Sequence, residues 1–178
     1  TVIDSSFRIV NNYEIEGMRR SSAWAKDQRV FFVARFSKPF NAYLIGRNGK
    51  VIKRKRLDHG NVRFHEGHED KKIKIDEKVN GVNLKGVLTF GDGVGEVIEV
   101  RVGISAVDVD GARKNLEAEA IGKNFDRLKK EARDEWNRSL AKIRVEDSNE
   151  TRKRVFYSAL YHAQLNPNLY MDVDGRYR

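Results

Sequence analysis

A chain of 178 residues with 39% hydrophobic, 10% aromatic and 34% charged side chains lies within the globular range, which excludes wholesale disorder. It contains no cysteine, which rules out a disulfide framework and a thiolate zinc site, and no apolar run approaches the ~18 residues of a membrane span. The net charge of +9 comes from the first half: residues 1–89 carry 19 Lys and Arg against 10 Asp and Glu, while residues 90–178 carry 16 of each.

Thr1 runs within a few residues into strand-like sequence, as expected of a chain cut from a longer one. Residues Phe31 to Phe36 form a β-rich run that ends at Ser37-Lys38-Pro39, because proline withdraws a ladder donor. A second run covers Ala42 to Ile45, and Asn48-Gly49 then precedes Val51-Ile52. Asn-Gly readily adopts the positive φ angles of a tight turn, so a hairpin is expected here. Residues 53–82 are too charged and irregular to assign. Near residues 96–105 Ile98, Val100, Val102 and Ile104 alternate with Glu99, Arg101 and Gly103, which predicts a strand with its aliphatic face buried and the other wet. With Val87 to Phe90 and the Gly91-Asp92-Gly93 turn, it is expected to form a second antiparallel pair. Several short strands separated by turns imply a β-sandwich.

After Ser105 the period changes to that of a helix. Asp108 or Asp110 is placed to cap a first helix ending before Gly122. Asn124 caps a second, whose apolar positions Phe125, Leu128, Ala132, Trp136 and Leu140 step by three and four. Ser148 is expected to cap a third, carrying Val155, Phe156, Ala159, Leu160 and Ala163 and stopped by Asn166-Pro167. The last two helices have little to cover their apolar faces, so the sequence is expected to continue past Arg178 into a larger helical domain.

The chemical signals are sparse. Of the four histidines, His65 and His68 in His65-Glu66-Gly67-His68-Glu69-Asp70 are three apart across a glycine, whereas the zinc-protease motif needs four on a helix. The segment reads as a solvated loop beside His59, and His162 lies on the third helix. Asp-x-Asp-Gly occurs at Asp108–Gly111 and Asp172–Gly175. Neither copy has the glycine at position six and the glutamate at twelve of a calcium loop, so the first reads as a helix start and the second as a turn or a ligand-facing loop. Glu14 and Glu16, two apart on a strand, share a face as paired acid and base carboxylates would, but so do many surface pairs. The aromatics Trp24, Phe31, Phe32, Phe36 and Phe40 read as core rather than as a sugar platform. The basic run Lys53-Arg54-Lys55-Arg56 suits phosphates or an anionic surface.

Three strings resemble family 92 glycoside hydrolases in order and spacing: SSAWAKDQRVFFVARFSKPF at 21–40, VRVGISAVDVDGARKNLEAE at 100–119 and VFYSALYHAQLNPNLYMDVDGRYR at 155–178. With the helix around Trp136 the resemblance covers about two thirds of the chain; residues 47–82 match nothing in it. It implies a mixed fold, β then α. Residues 1–106 would be the later strands of an N-terminal antiparallel β-sandwich, 107–147 linker helices, and 148–178 the first helix and loop of an (α/α)6 barrel. It further implies a secreted or periplasmic parent enzyme, a calcium-dependent inverting α-mannosidase that removes terminal mannose from glycans and includes the remainder of the same polypeptide.

In that family the catalytic acid and base and the calcium carboxylates lie outside the part this chain resembles. No catalytic residue and no calcium ligand is therefore assigned in this chain, and the fragment alone is expected to be inactive. Asp172, Asp174 and Arg176, on the loop after a barrel helix, are candidates for shaping the sugar pocket or for locking the loop. Two further readings remain: a carbohydrate-binding sandwich module, and an anionic-surface or nucleic-acid binder using the basic first half.

Overall fold

The computed structural model describes residues 1–57, 72–91, 95–165 and 170–178. They divide into two compact units, Thr1–Ile121 with Met171–Arg178, and Gly122–Tyr170. The histidine-rich segment with His59, the Gly-Asp-Gly turn at Asp92 and Gly93, and the Asn166-Pro167 stop lie outside the described residues.

The first unit is built on eight described strands: β1 (Val2–Asn11), β2 (Glu14–Ser21), β3 (Gln28–Phe36), β4 (Phe40–Arg47), β5 (Lys50–Arg56), β6 (Lys74–Asn80), β7 (Leu84–Phe90) and β8 (Val100–Ser105). They form two sheets, β6-β1-β2-β3-β8 and β5-β4-β7, and every pairing is antiparallel. Asn48 and Gly49 take φ of 52° and 79°, the left-handed pair that a two-residue hairpin turn requires, and β4 and β5 flank them. Strands β5 and β6 occupy the ends of the stretch too charged to assign from sequence. Period-two alternation survives in β6, where Ile75 and Val79 pack inward between charged neighbours.

Between the sheets, Ile9, Phe40, Tyr43, Ile45, Leu57 and Val79 form a buried cluster. The rings of Phe36, Phe40 and Phe90 meet at 5.4–6.2 Å between centroids, edge-on and tilted as ring quadrupoles favour. Asn12 is fully buried at the corner after β1. Its backbone carbonyl accepts from Phe40 N at 2.9 Å and its side-chain oxygen accepts from Ile73 N at 2.7 Å, so one buried asparagine, through main chain and side chain, ties two other segments together.

The outer face of the five-stranded sheet carries α1 (Val109–Glu119). Of the two expected caps the chain uses Asp108, whose carboxylate accepts from Gly111 N at 2.6 Å. Ala112 and Leu116 bury against Val33. The approach is close because Gly103 has no side chain: a Cβ there would collide with the Ala112 carbonyl and stand 2.7 Å from Leu116 Cβ.

That packing inverts the expectation for β8. The strand begins at Val100, and the face toward the helix is the small one of Gly103 and Ser105. Val100, Val102 and Ile104 are the exposed residues, at 52%, 55% and 62%. The expected pair of 87–90 with 96–105 does not form either. Strand β7 pairs with β4, while β8 pairs with β3 in the other sheet. Phe90 is held by Phe36 and Phe40, and Ser37 then guides the chain across: its N–H donates to Glu99 O and its hydroxyl accepts from Glu99 N, both at 2.9 Å. Among the aromatics expected in the core, Phe40 is fully buried, Phe31 and Phe36 pack on the clusters, and Phe32 lies over Gly17. Trp24 departs from the expectation. It stands on the turn between β2 and β3, outside the strand pattern, and is fully exposed.

The second unit contains α2 (Phe125–Leu140) and α3 (Glu150–Ala163). Asn124 caps α2 as expected. The cap of α3 is Asn149 rather than Ser148, its side-chain oxygen accepting from Arg152 N at 3.1 Å. Trp136 and Tyr161 stack edge-on at 4.5 Å, and Ser139 Oγ donates to Gln164 Oε1 at 2.8 Å. Neither helix buries a residue. Phe125 and Val155, both assigned to apolar stripes, are exposed. No helix among the described residues is long and apolar enough to cross a membrane.

Candidate functional site

Two polar assemblies lie in the first unit. Alternation along β2 puts Glu14 and Glu16 on the face that α1 covers, both buried. Arg113 of α1 reaches down between them, bonding Glu14 and, at 2.6 Å, Glu16. Arg35 bonds Glu14 at 2.6 Å and Glu117 at 2.9 Å, and Arg8 joins Glu16 to Asp76, each at 2.8 Å. Burial pushes the Glu14 carboxyl up, but the hydrogen bonds from Arg113 and Arg35 outweigh it and hold it below the ordinary carboxylate range. A glutamate held ionised by two arginines has no proton to donate. The pair that sequence singled out therefore fastens the helix to the sheet.

The second assembly is the loop Met171–Arg178, which returns to the first unit. Asp172 is 4% exposed. It accepts from Ser105 Oγ at 2.8 Å and from Asn115 Nδ2 at 2.9 Å, and Asn115 Oδ1 accepts from Val173 N at 2.8 Å. Gly175, at φ 80°, closes a turn in which its N–H donates to Asp172 O at 2.8 Å while Asp172 N donates to Arg176 O at 2.8 Å. Arg176 holds Asp108 at 2.6 Å and Asp174 at 3.0 Å, so the two Asp-x-Asp-Gly copies engage one another. A Cβ on Gly111 would strike Asp172 Oδ2 and stand 2.7 Å from Ser105 Oγ.

The electrostatics of the loop follow from these partners. Lys114 donates to Asp174 at 2.8 Å and, with Arg176, brings that carboxyl down to about 2. Arg176 and then Gly111 N lower Asp108, and the two carboxylates raise the Arg176 guanidinium. At the end of the loop Arg178 donates to Asp27 at 2.9 Å. Asp27 is also bonded by Arg20 at 2.7 Å and Arg29 at 3.2 Å; Arg20 first, then Arg178, drives its carboxyl well below the usual range. This brings the loop to the turn that carries Trp24.

Asp172, Asp174 and Arg176 are thus together, as adjacent positions must be, and each is engaged by protein partners. Sequence reasoning missed Ser105, Asn115, Lys114 and Asp27, which complete the arrangement. Only the repeated Asp-x-Asp-Gly hinted at the mutual contact. Among the described residues no group of three or more His, Cys, Asp or Glu converges as a metal cage does. The loop carboxylates face lysine and arginine, so they do not fit a calcium site.

The first unit is thus an antiparallel sandwich that carries α1 and holds the loop Met171–Arg178 against it. Residues 1–105 match the glycosyl hydrolase family 92 N-terminal domain and residues 111–178 the family 92 catalytic domain. The chain belongs to glycosyl hydrolase family 92. It is similar to a family 92 α-mannosidase of Bacteroides thetaiotaomicron, at 28% identity and TM-score 0.80 over 98% of this chain and 21% of that one; a structure of that protein with mannoimidazole is equally similar. It shares its fold with an inverting family 92 mannosidase of the same organism, at 21% identity and TM-score 0.73, over 97% of this chain and 21% of that one. An uncharacterized secreted glycosidase of Arthroderma benhamiae is 31% identical over 77 residues, 41% of this chain and 10% of that protein. The chain thus spans about a fifth of the solved relatives and a tenth of the secreted one.

Proposed function

We propose that residues 1–178 are the domain joint of a secreted or periplasmic inverting α-mannosidase, one that hydrolyses terminal α-linked mannose from glycans and takes its catalytic acid, base and calcium from residues outside this chain. The observation that carries the reading is the match of both family 92 domains, in order, across the chain. The similarity to an α-mannosidase at 28% identity supports the substrate class. In this reading the loop Met171–Arg178 forms an edge of the sugar pocket. Asp172, Asp174 and Arg176 hold its shape by bonding Ser105, Lys114 and Asp108, and they leave the chemistry to others.

The test is an assay of residues 1–178 and of the polypeptide from the complete reading frame on α-1,2-linked mannobiose, with calcium and after chelation. The expected result is calcium-dependent release of mannose by the longer protein, first as the β-anomer, and none by residues 1–178. Turnover by the shorter chain would overturn its inactivity. A longer protein that leaves the mannobiose intact would overturn the activity, and one that releases the α-anomer first would overturn inversion.

A further inference from the structure

The positive excess of residues 1–89 is concentrated in one sheet. Strand β5 carries Lys50, Lys53, Arg54, Lys55 and Arg56, β4 adds Arg47 and β7 adds Lys85, and none of the three strands contains Asp or Glu. The five-stranded sheet has both signs and pairs them: Arg8 bonds Glu16 and Asp76, Arg35 bonds Glu14, and Arg101 bonds Glu99 at 2.8 Å. Charge is balanced on one layer of the sandwich and of a single sign along the other.

Register decides where these cations stand. Tyr43 and Ile45 are buried between the sheets. Lys55 and Lys53 lie opposite them on β5, on the inner side of that edge, and Lys53 reaches across to Glu77 of β6 at 3.1 Å. The alternate positions therefore face outward. There Arg56 lies in a row with Ala42 and Thr89, and Arg54 in a row with Leu44 and Val87. Because the register shifts between Ile45 and Gly46, Val51 joins the same face, in a row with Gly46 and Lys85. Arg54, Arg56 and Lys85 are exposed, as are Val51 at 53% and Val87 at 55%. Ala42, Leu44 and Gly46 make a low floor along β4, and the long cationic side chains rise from the strands on either side, about 10 Å apart across it.

We propose that this outer face of β5, β4 and β7 binds a phosphorylated glycan, with Arg54 and Arg56 holding phosphate groups and the β4 floor lying under the sugar. The two arginines, two positions apart on one strand, stand about 7 Å apart along it. Each guanidinium offers a planar fork that bonds a phosphate through two parallel N–H groups. The single sign of the whole sheet adds to these contacts and steers a polyanion to the face. The outward rows hold no aromatic ring, which argues against stacked nucleobases. Their exposed valines also lack the Trp or Phe that seats a surface in the lipid headgroup boundary. The choice of sugar as the carrier of the phosphate rests on the reading above, that the protein acts on glycans.

The test measures binding of the polypeptide from the complete reading frame to a β-linked manno-oligosaccharide bearing phosphate monoesters, which an α-mannosidase leaves intact, and to the same oligosaccharide without phosphate. The expected result is affinity on the order of tenfold higher for the phosphorylated form, falling as salt is raised, and a loss on the order of tenfold in Arg54→Gln/Arg56→Gln. The melting temperature of that variant should match the parent's, because both side chains are exposed. Equal affinity for the two oligosaccharides, an unchanged affinity in the variant, or tighter binding of inorganic phosphate, duplex DNA or phosphatidylglycerol vesicles overturns the proposal. So does a lowered melting temperature in the variant, which puts another part of the polypeptide on this face. Binding is read without turnover. A protein that hydrolyses α-mannosides but ignores phosphate loses this proposal alone, and one that binds the phosphorylated form but spares the mannobiose loses only the activity.

Discussion

The first unit encloses two buried clusters and a set of buried carboxylates, whereas α2 and α3 of the second bury no residue at all. Both have amphipathic sequence. They differ in what faces the apolar side: a strand row meets another sheet or α1, while the second unit's described packing centres on one Trp136–Tyr161 stack and a few hydrogen bonds. A helix draws most of its stability from such packing and little from its own propensity. An amphipathic pattern therefore states a need for a partner, and only the partner turns it into stability.

The sharpest way to break this contrast is Gly103→Val, which drives a side chain into the backbone of α1. It should destabilise the first unit by about 3 kcal/mol or more, seen as a lower urea midpoint followed by Trp24-independent circular dichroism. Arg113→Met leaves Glu14 and Glu16 without their shared cation and should cost about 3 kcal/mol by the same measurement. Asp172→Ala strips partners from Ser105 and Asn115, with an expected loss of about 2 kcal/mol and faster exchange at Val173 N. Asn149→Ala removes a helix cap and should cost the second unit about 1 kcal/mol, read as lost helical ellipticity with the sheet signal unchanged.

Acid sharpens the same comparison. Glu14 has its folded pKa below its unfolded value, so its contribution is present above about pH 4.5 and is lost as pH falls through the lowered value. Asp108 and Asp27 act in the same direction, with solvent screening reducing their share. The urea midpoint of the first unit should fall as the pH drops below about 4.5, and Arg113→Met should flatten that fall.

Local chemistry was legible in the sequence. Asn48-Gly49 names its own turn, and Asp108 and Asn124 cap the helices they precede. Alternation in 100–105 announces a strand but gives both faces equal standing, so which one is buried depends on α1 finding room over Gly103. Pairing of β7 with β4 rather than β8 is a choice between sheets that no turn residue encodes. The fate of Glu14 and Glu16 is set by Arg113, 99 and 97 positions away. The loop candidates Asp172, Asp174 and Arg176 are neighbours in the sequence itself, but their partners Ser105, Asn115 and Lys114 look like ordinary polar residues until the chain returns.

That return has a temporal consequence. Ser105 and Asp172 are 67 residues apart, with the whole second unit synthesised between them. At roughly 5–20 residues per second the ribosome needs on the order of several seconds to cover that distance. Throughout that interval the nascent sandwich holds the hydroxyl of Ser105 and the notch above Gly111 open, so its final fastening comes only after both later helices have emerged.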